Sequence, residues 1–111
     1  MSINFSTPVI IRFAYLSLLK EKEIFTIVFL GMLSKDKGIE DAIRCFSLLK
    51  DKRQCQFWVV GRAETAAYHA KVKNLARDLS IENSITFFGF VSQKKKFELL
   101  ARAHVLVNPS V

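Results

Sequence analysis

Two lysines in a short polar loop, Lys35 and Lys37, are the residues whose type and spacing best suit them to chemistry. Both lie between Gly31 and Gly38. The loop follows the apolar run Phe25–Leu30 and precedes a segment with the apolar periodicity of a helix. Many α/β proteins use this order of strand, glycine, basic loop and helix to bring a phosphate to a helix N-terminus. The loop therefore predicts a phosphate-binding turn.

The motifs of several common catalytic and cofactor sites are absent from the sequence. Gly61 is followed by Arg-Ala-Glu and not by a second glycine, which disfavours a nicotinamide-dependent dehydrogenase. GxxxxGK[ST], HExxH and GxSxG do not occur. Cys45 and Cys55 lack CxxC spacing and a nearby histidine, which predicts reduced thiols in a cytoplasmic protein. His69 and His104 have no partner at catalytic spacing, so we predict no catalytic residue and no metal site.

Strands and helices alternate around the loop. The apolar pattern predicts strands over 25–30, 56–60, 84–88 and 105–107, separated by helices over 39–49, 66–79 and 93–103. A helix between consecutive strands makes a right-handed parallel crossover. Strands that are apolar throughout are typical of a sheet covered on both faces, and the ten phenylalanines are expected in its core. The predicted fold is α/β, a Rossmann-like parallel sheet of about four strands with crossover helices.

A glycine closes each of the first three predicted strands. These residues are Gly31, Gly61 and Gly89. In open α/β sheets, ligands bind outside the carboxyl ends of the strands. A single glycine there is explained by a turn, whereas three in the same topological place favour a ligand-binding edge.

The formal net charge of +7 favours an anionic partner. A phosphorylated ligand, an anionic membrane face or a basic surface in contact with water would each account for it. Only Lys94–Lys96 forms a run of lysines, without aromatic interleaving, so nucleic acid is disfavoured. The apolar segment from Val9 to Leu19 is interrupted by Arg12 and is shorter than the roughly 18 residues of a membrane span. We therefore expect a cytoplasmic protein, with peripheral membrane association left open.

Three stretches, FLGMLSKDKGIEDAIRCFSLL, FWVVGRAE and ITFFGFVSQKKKFELLARAHVLVNPS, carry a family resemblance. In order and spacing they resemble the C-terminal domain of the group 1 (family 4) glycosyltransferases, with its G-R-L-x-x-x-K-G, F-x-G-x-V and P-S motifs. The resemblance covers roughly residues 25–111. It implies part of a GT-B C-terminal domain that binds a nucleotide sugar, preceded by a lead-in or linker segment over residues 1–24. The family's enzymes are retaining and metal-independent, so the implied donor is a nucleotide-diphosphate sugar and no cofactor is expected.

The resemblance also implies a set of binding residues. The lysine of the family's K-G pair, which holds the donor's diphosphate, falls on Lys37, where a cation stabilises the charge that develops on the leaving group. The family arginine that shares this role is replaced by Met32, for which Lys35 or Arg62 could substitute, and His104 stands at the family's aspartate. The segment 90–93 matches the loop beside the nucleotide base. The nucleotide-sugar-binding residues expected from the resemblance are Gly31, Lys37, Gly38, Arg62, Val91, Gln93, Lys96 and Ser110.

Two further parts of the family pattern are not found in this sequence. They are the E-x7-E element that follows the P-S pair, and the N-terminal domain that holds the acceptor. We therefore expect a truncated donor-binding domain that is inactive alone and needs the acceptor domain or a partner chain, since transfer requires donor and acceptor to be held together. The alternative is a non-catalytic α/β interaction module that binds an anionic partner or another polypeptide.

Overall fold

The computed structural model of the protein describes residues 2–3, 24–51 and 54–108, which form a parallel sheet with helices on both faces. The strands are β1 (Ser2–Ile3), β2 (Phe25–Leu30), β3 (Cys55–Val60), β4 (Ile85–Gly89) and β5 (Val105–Val107). The helices are α1 (Ile39–Lys50), α2 (Ala66–Asp78) and α3 (Gln93–Ala101). The apolar segment from Val9 to Leu19, and Ser110, lie outside the described residues.

The strands are all parallel and lie in the order β1-β5-β2-β3-β4. The chain runs outward from β2 to β3 and β4, then returns across the sheet to place β5 on the other side of β2. Val28 therefore pairs with both Trp58 and Leu106. The predicted α/β, Rossmann-like sheet is confirmed. The edge strand β1 is an addition that the sequence analysis does not predict, because two residues carry no periodicity.

The two faces of the sheet are covered unequally. Helices α1 and α2 cover one face, where alternate strand residues such as Ile27, Phe29 and Phe57 are fully or almost fully buried. On the opposite face α3 is the one helix in the described part of the chain, and Leu99 anchors it against Val28 and Trp58. The chain moves across the sheet in one direction from β2 to β4 and in the opposite direction from β4 to β5. Since every crossover is right-handed, the helices of these two parts lie on opposite faces of the sheet.

Some details of the sequence prediction are wrong. β3 begins one residue earlier, and β4 is shifted by one residue so that Gly89 is its last residue. α2 and α3 end one and two residues earlier than predicted, and α1 one residue later. Phe90 and Phe97 are exposed and do not belong to the core, because one follows the last strand residue and the other lies on the outer side of α3.

His104 and Cys45 make contacts within the fold. The backbone N–H of Thr26 donates to Nδ1 of His104 at 2.9 Å, and the His104 ring stacks on Phe25. Burial, and to a lesser extent Asp41, raises the pKa of the Cys45 thiol. In the described ranges no three His, Cys, Asp or Glu residues are grouped to hold a metal ion. None of the described helices combines the length and apolarity that crossing a bilayer requires.

Candidate functional site

The carboxyl ends of β2, β3 and β4 are held together by backbone hydrogen bonds beyond the last strand residues. The N–H of Gly31 donates to the carbonyl of Val60 at 3.0 Å, and the N–H of Gly61 donates to the carbonyl of Gly89 at 2.9 Å. Past the glycines, the N–H of Leu33 donates to the carbonyl of Arg62 at 3.0 Å. These bonds fix the backbone of the three turns that follow the strands.

Gly61 is required by the close approach of two of these turns. A Cβ atom at position 61 would lie 1.9 Å from the carbonyl oxygen of Gly31, and the residue has φ 138°. Gly89 differs, since no described atom lies within 4 Å of a Cβ placed there, but its φ of 69° favours glycine. Both glycines are therefore explained by the fold itself, and the row of glycines is not by itself a sign of ligand binding.

A groove of about 440 Å³ opens at this edge of the sheet. It is mostly apolar, and Lys96 is the cation in its wall. Its wall consists of Leu30, Gly31, Val60, Gly61, Phe90, Val91, Gln93 and Lys96. The fold thus brings together four of the residues predicted from the sequence: Gly31, Val91, Gln93 and Lys96.

The N-terminus of α3 forms one side of the groove. The Ser92 side chain caps the helix by accepting a hydrogen bond from the N–H of Lys95 at 3.1 Å. The first turn of α3, all of it described, contains no acidic residue and carries Lys94–Lys96. Lys96 in the groove wall and the positive end of the helix dipole therefore have the same sign, and this side of the groove favours an anionic ligand.

The loop with the two candidate lysines lies apart from the groove wall. Lys35–Lys37 form one turn of 3₁₀ helix, and Gly38 with φ 80° leads into α1. Both lysines are exposed, and neither Lys37 nor Gly38 is among the described residues that line the groove. The first turn of α1 carries Glu40 and Asp41, which already complement the helix dipole. The predicted turn exists, but its helix N-terminus is less receptive to an anion than that of α3.

Arg62 and Met32 each directly follow a glycine of the groove wall, although neither is among the described residues that line the groove. Arg62 is exposed, and its guanidinium carbon lies 5.2 Å from the centroid of the Phe90 ring. Met32, at the position of the family arginine, is 46% exposed and leaves room for a longer side chain. Phe90 belongs to the segment 90–93 that the resemblance matches to the loop beside the nucleotide base, although it is not one of the individual binding residues expected from the resemblance. Its side chain lines the groove because it comes directly after Gly89, where the chain leaves the sheet.

A second depression, of about 410 Å³, lies between α1 and α2. Its surroundings are tied together by contacts within the protein. The Tyr68 hydroxyl donates to Oε2 of Glu40 at 2.7 Å, and Nζ of Lys71 lies 3.9 Å from the same oxygen. Burial, followed by the bond to Glu40, raises the pKa of Tyr68. This depression has the polar contacts of a helix–helix junction.

Comparison with known proteins places this architecture in a family. Residues 16–111 match the family model described as glycosyl transferases, group 1. An uncharacterized glycosyltransferase of Methanocaldococcus jannaschii is 29% identical over 85 residues, which are 77% of this chain and 21% of that protein. The chain thus spans about a fifth of the length of this curated relative.

Solved glycosyltransferase structures share the fold at low sequence identity. A glycosyltransferase from Rickettsia africae matches with a TM-score of 0.69 and 22% identity, over 77% of this chain and 22% of that one. HepE of Anabaena, solved with UDP and glucose, matches with a TM-score of 0.62 and 24% identity, over 75% of this chain and 22% of its own. WaaG, a glycosyltransferase of lipopolysaccharide biosynthesis, matches with a TM-score of 0.63 and 22% identity, over 86% of this chain and 25% of that one. These matches confirm the predicted Rossmann-like fold of the GT-B glycosyltransferases.

Proposed function

The chain belongs to the group 1 glycosyl transferases, and we propose that it contributes the donor-binding side of a retaining, metal-independent glycosyltransferase. The observation that carries the proposal is the groove at the carboxyl ends of β2, β3 and β4, beside the basic N-terminus of α3. Ligands of open α/β sheets bind in this place. The proposed ligand is the nucleoside diphosphate part of a nucleotide sugar, with the domain over residues 25–111.

The two ends of the ligand have different places in this proposal. The apolar wall with Val60 and Val91 suits a nucleoside, and Lys96 lies beside it as a counter-charge. Gly31 leads from the groove floor into the loop with Lys35 and Lys37, so the diphosphate extends toward these exposed cations. Cations there would stabilise the diphosphate as it leaves the sugar. Ser110 lies outside the described residues, and like the other binding residues expected from the resemblance it stays a prediction.

Binding of nucleoside diphosphates to the 111-residue chain tests the proposal. We expect UDP, ADP or GDP to bind in a calorimetric or fluorescence titration at low ionic strength, and Lys37→Ala to weaken that binding. Lys50→Ala is the matched control. Lys50 lies in the last turn of α1, near the amino ends of the strands and away from the groove. The absence of binding for every nucleoside diphosphate and nucleotide sugar would contradict the proposal.

Sugar transfer by the isolated chain is not expected. Transfer requires donor and acceptor to be held in one closed cleft, and the described residues supply one groove. A radiolabelled donor incubated with the chain should therefore show no transfer above the hydrolysis background. Turnover by the 111 residues alone would overturn this part of the proposal.

The second candidate function is binding of an anionic partner without catalysis. It is favoured by Phe97, which is 59% exposed in α3 directly after the three lysines Lys94–Lys96. An exposed aromatic ring next to a run of lysines suits the surface of an anionic membrane. Sedimentation with vesicles of phosphatidylserine, compared with phosphatidylcholine, tests it. Equal and negligible sedimentation with both would exclude this candidate.

A further inference from the structure

The strand β4 lies at an edge of the sheet in the described part of the chain. It pairs with β3 on one side, and no described strand pairs with it on the other. Thr86 is exposed, and the side chains of Phe87 and Phe88 are half-buried. The pairing with β3 is regular from Ile85 to Phe87 and shifts by one residue at Phe88. The outward N–H and C=O groups of the regular part are therefore open to a further short strand.

Two exposed lysines flank this edge, one on each face of the sheet. Phe87 packs on the face covered by α1 and α2, and Phe88 packs on the face covered by α3. Nζ of Lys73, in α2, lies 5.9 Å from the centroid of the Phe87 ring. Nζ of Lys95, in α3, lies 5.9 Å from the centroid of the Phe88 ring. Neither lysine forms an ion pair with a described residue, so both charges are available to a partner at the edge.

These two lysines select the chemistry of a partner strand. A second copy of β4 would bring lysine against lysine on each face, in the parallel and in the antiparallel orientation, and like charges that face each other are destabilising. A strand with carboxylates on both faces would instead be attracted. Because neighbouring residues of a strand point to opposite faces, two adjacent acidic residues can reach Lys73 and Lys95 at once. The net charge of +7 adds attraction at longer range.

We infer that the outer edge of β4 binds an extended acidic segment of another polypeptide by strand addition. In this mode of recognition, main-chain hydrogen bonds supply affinity and alternate side chains supply specificity. Thr86, Lys73 and Lys95 are not among the described residues that line the groove. The inference therefore goes beyond donor binding and does not depend on it.

Lys71 provides a matched control on the same helix as Lys73. It is also exposed, but its Nζ lies 3.9 Å from Oε2 of Glu40, at the junction between α1 and α2. Lys71→Gln therefore removes the same charge from α2 without changing the edge of β4.

Fluorescence titration of the 111-residue chain with labelled, capped peptides tests the inference. We expect the peptide TVEEVT to bind at low ionic strength and the peptide TVKKVT not to bind. Lys73→Gln and Lys95→Gln should each weaken binding of TVEEVT about 3-fold, and Lys71→Gln should leave it unchanged. The double variant with Lys73→Glu and Lys95→Glu should reverse the preference and bind TVKKVT.

N-methylation of the peptide distinguishes strand addition from a general attraction between charges. Only alternate N–H groups of a strand face a given neighbouring strand. Methylating one alternate set of N–H groups in TVEEVT should therefore abolish binding, whereas methylating the other set should preserve it. In ¹H–¹⁵N spectra, binding should shift the amides of Thr86 and Phe87.

Several results would overturn the inference. They are no binding of TVEEVT at millimolar concentration, equal binding of TVEEVT and TVKKVT, and equal effects of the two methylated sets. Dimerisation of the unmodified chain in sedimentation, with protection of the Thr86 amide, would identify a second copy as the occupant and would also refute it. UDP binding should be the same in Lys73→Gln, Lys95→Gln and the unmodified chain, so a failure of the proposed function is seen separately.

Discussion

Two regions at the same edge of the sheet differ in how completely they are built as binding sites. The groove side consists of the Phe90–Val91 turn and the first turn of α3. The loop side is the segment from Ser34 to Gly38, with the first turn of α1. The groove side has an apolar wall and a helix N-terminus whose first turn carries three lysines and no acidic residue. The loop side has exposed lysines and a helix N-terminus that already carries Glu40 and Asp41.

The loop side is the easier of the two regions to recognise in the sequence, whereas the groove side is the one with a preformed shape in the structure. The loop side carries the family's K-G motif, yet its lysines act as exposed point charges, and Met32 replaces the second cation. The groove side has weaker motifs, but its walls are fixed by strand ends and a helix cap. In the proposed function the groove would supply shape and the loop would supply screened charge, and variants can separate the two.

Gly61→Ala should have the largest effect, because Gly61 joins the turns on which both sides depend. The new Cβ would lie 1.9 Å from the carbonyl oxygen of Gly31. We expect a loss of about 3 kcal/mol or more in the free energy of unfolding, measured with urea. Gly89→Ala is the control, and its positive φ alone should cost about 1–2 kcal/mol. Equal effects of the two substitutions would contradict the close approach.

Lys37→Ala should weaken binding of UDP and of inorganic pyrophosphate alike, by about 10-fold at low salt. The reason is that an exposed lysine contributes charge to the phosphates and no shape to the base. The loss should shrink strongly near 1 M salt, where screening acts over about 3 Å. Phe90→Ala should show the opposite pattern, selective for the nucleotide and insensitive to salt. If Lys37→Ala were selective for UDP, the two sides would not be separable.

Met32→Arg should strengthen the loop side, because it introduces the cation that the family has at this position. Met32 is 46% exposed, so an arginine fits without loss of stability. We expect the affinity for pyrophosphate and UDP to rise about 5-fold, or about 1 kcal/mol. Met32→Gln controls for the change to a polar side chain without charge and should change neither affinity. An unchanged Kd in the arginine variant would mean that the diphosphate does not reach the loop side.

Tyr68→Phe tests how firmly Glu40 is held on the loop side, and its effect should be the smallest. It removes the 2.7 Å hydrogen bond to Glu40 at a half-buried site, for about 0.5–1 kcal/mol of unfolding free energy. The raised pKa of Tyr68 means that the folded state keeps its proton longer than the unfolded state. The stabilisation is therefore present below about pH 10 and is lost as pH rises above it. Urea unfolding of both proteins at pH 8 and above pH 10 measures this, and a stability difference that grows with pH would contradict it.

The sequence predicts the sheet and four of the eight residues in the groove wall for identifiable reasons. Long apolar runs such as Phe25–Leu30 specify buried strands without help from distant residues. Gln93 and Lys96 were found through the family motif that precedes α3. The role of Gly61 was not predictable, since it depends on a contact with Gly31 across two strands. Nor was the bond between Glu40 and Tyr68, which joins two helices across a crossover.

Two errors have the same cause. Phe90 and Phe97 were assigned to the core because phenylalanine is usually buried. Their exposure follows from local geometry: one residue has passed the end of β4, and the other lies on the helix side opposite Leu99. Residue type alone therefore does not show which phenylalanines lie outside the core.

Amide chemical-shift mapping with UDP tests the central claim most directly. The claim is that the groove at the carboxyl ends of β2, β3 and β4 is the nucleotide site. In ¹H–¹⁵N spectra of the 111-residue chain, we predict that the largest shifts occur at Gly31, Gly61, Val91 and Gln93, with smaller shifts at Lys37. Shifts confined to the depression between α1 and α2, around Lys71 and Asn74, or no shift at millimolar UDP, ADP or GDP, would contradict the account.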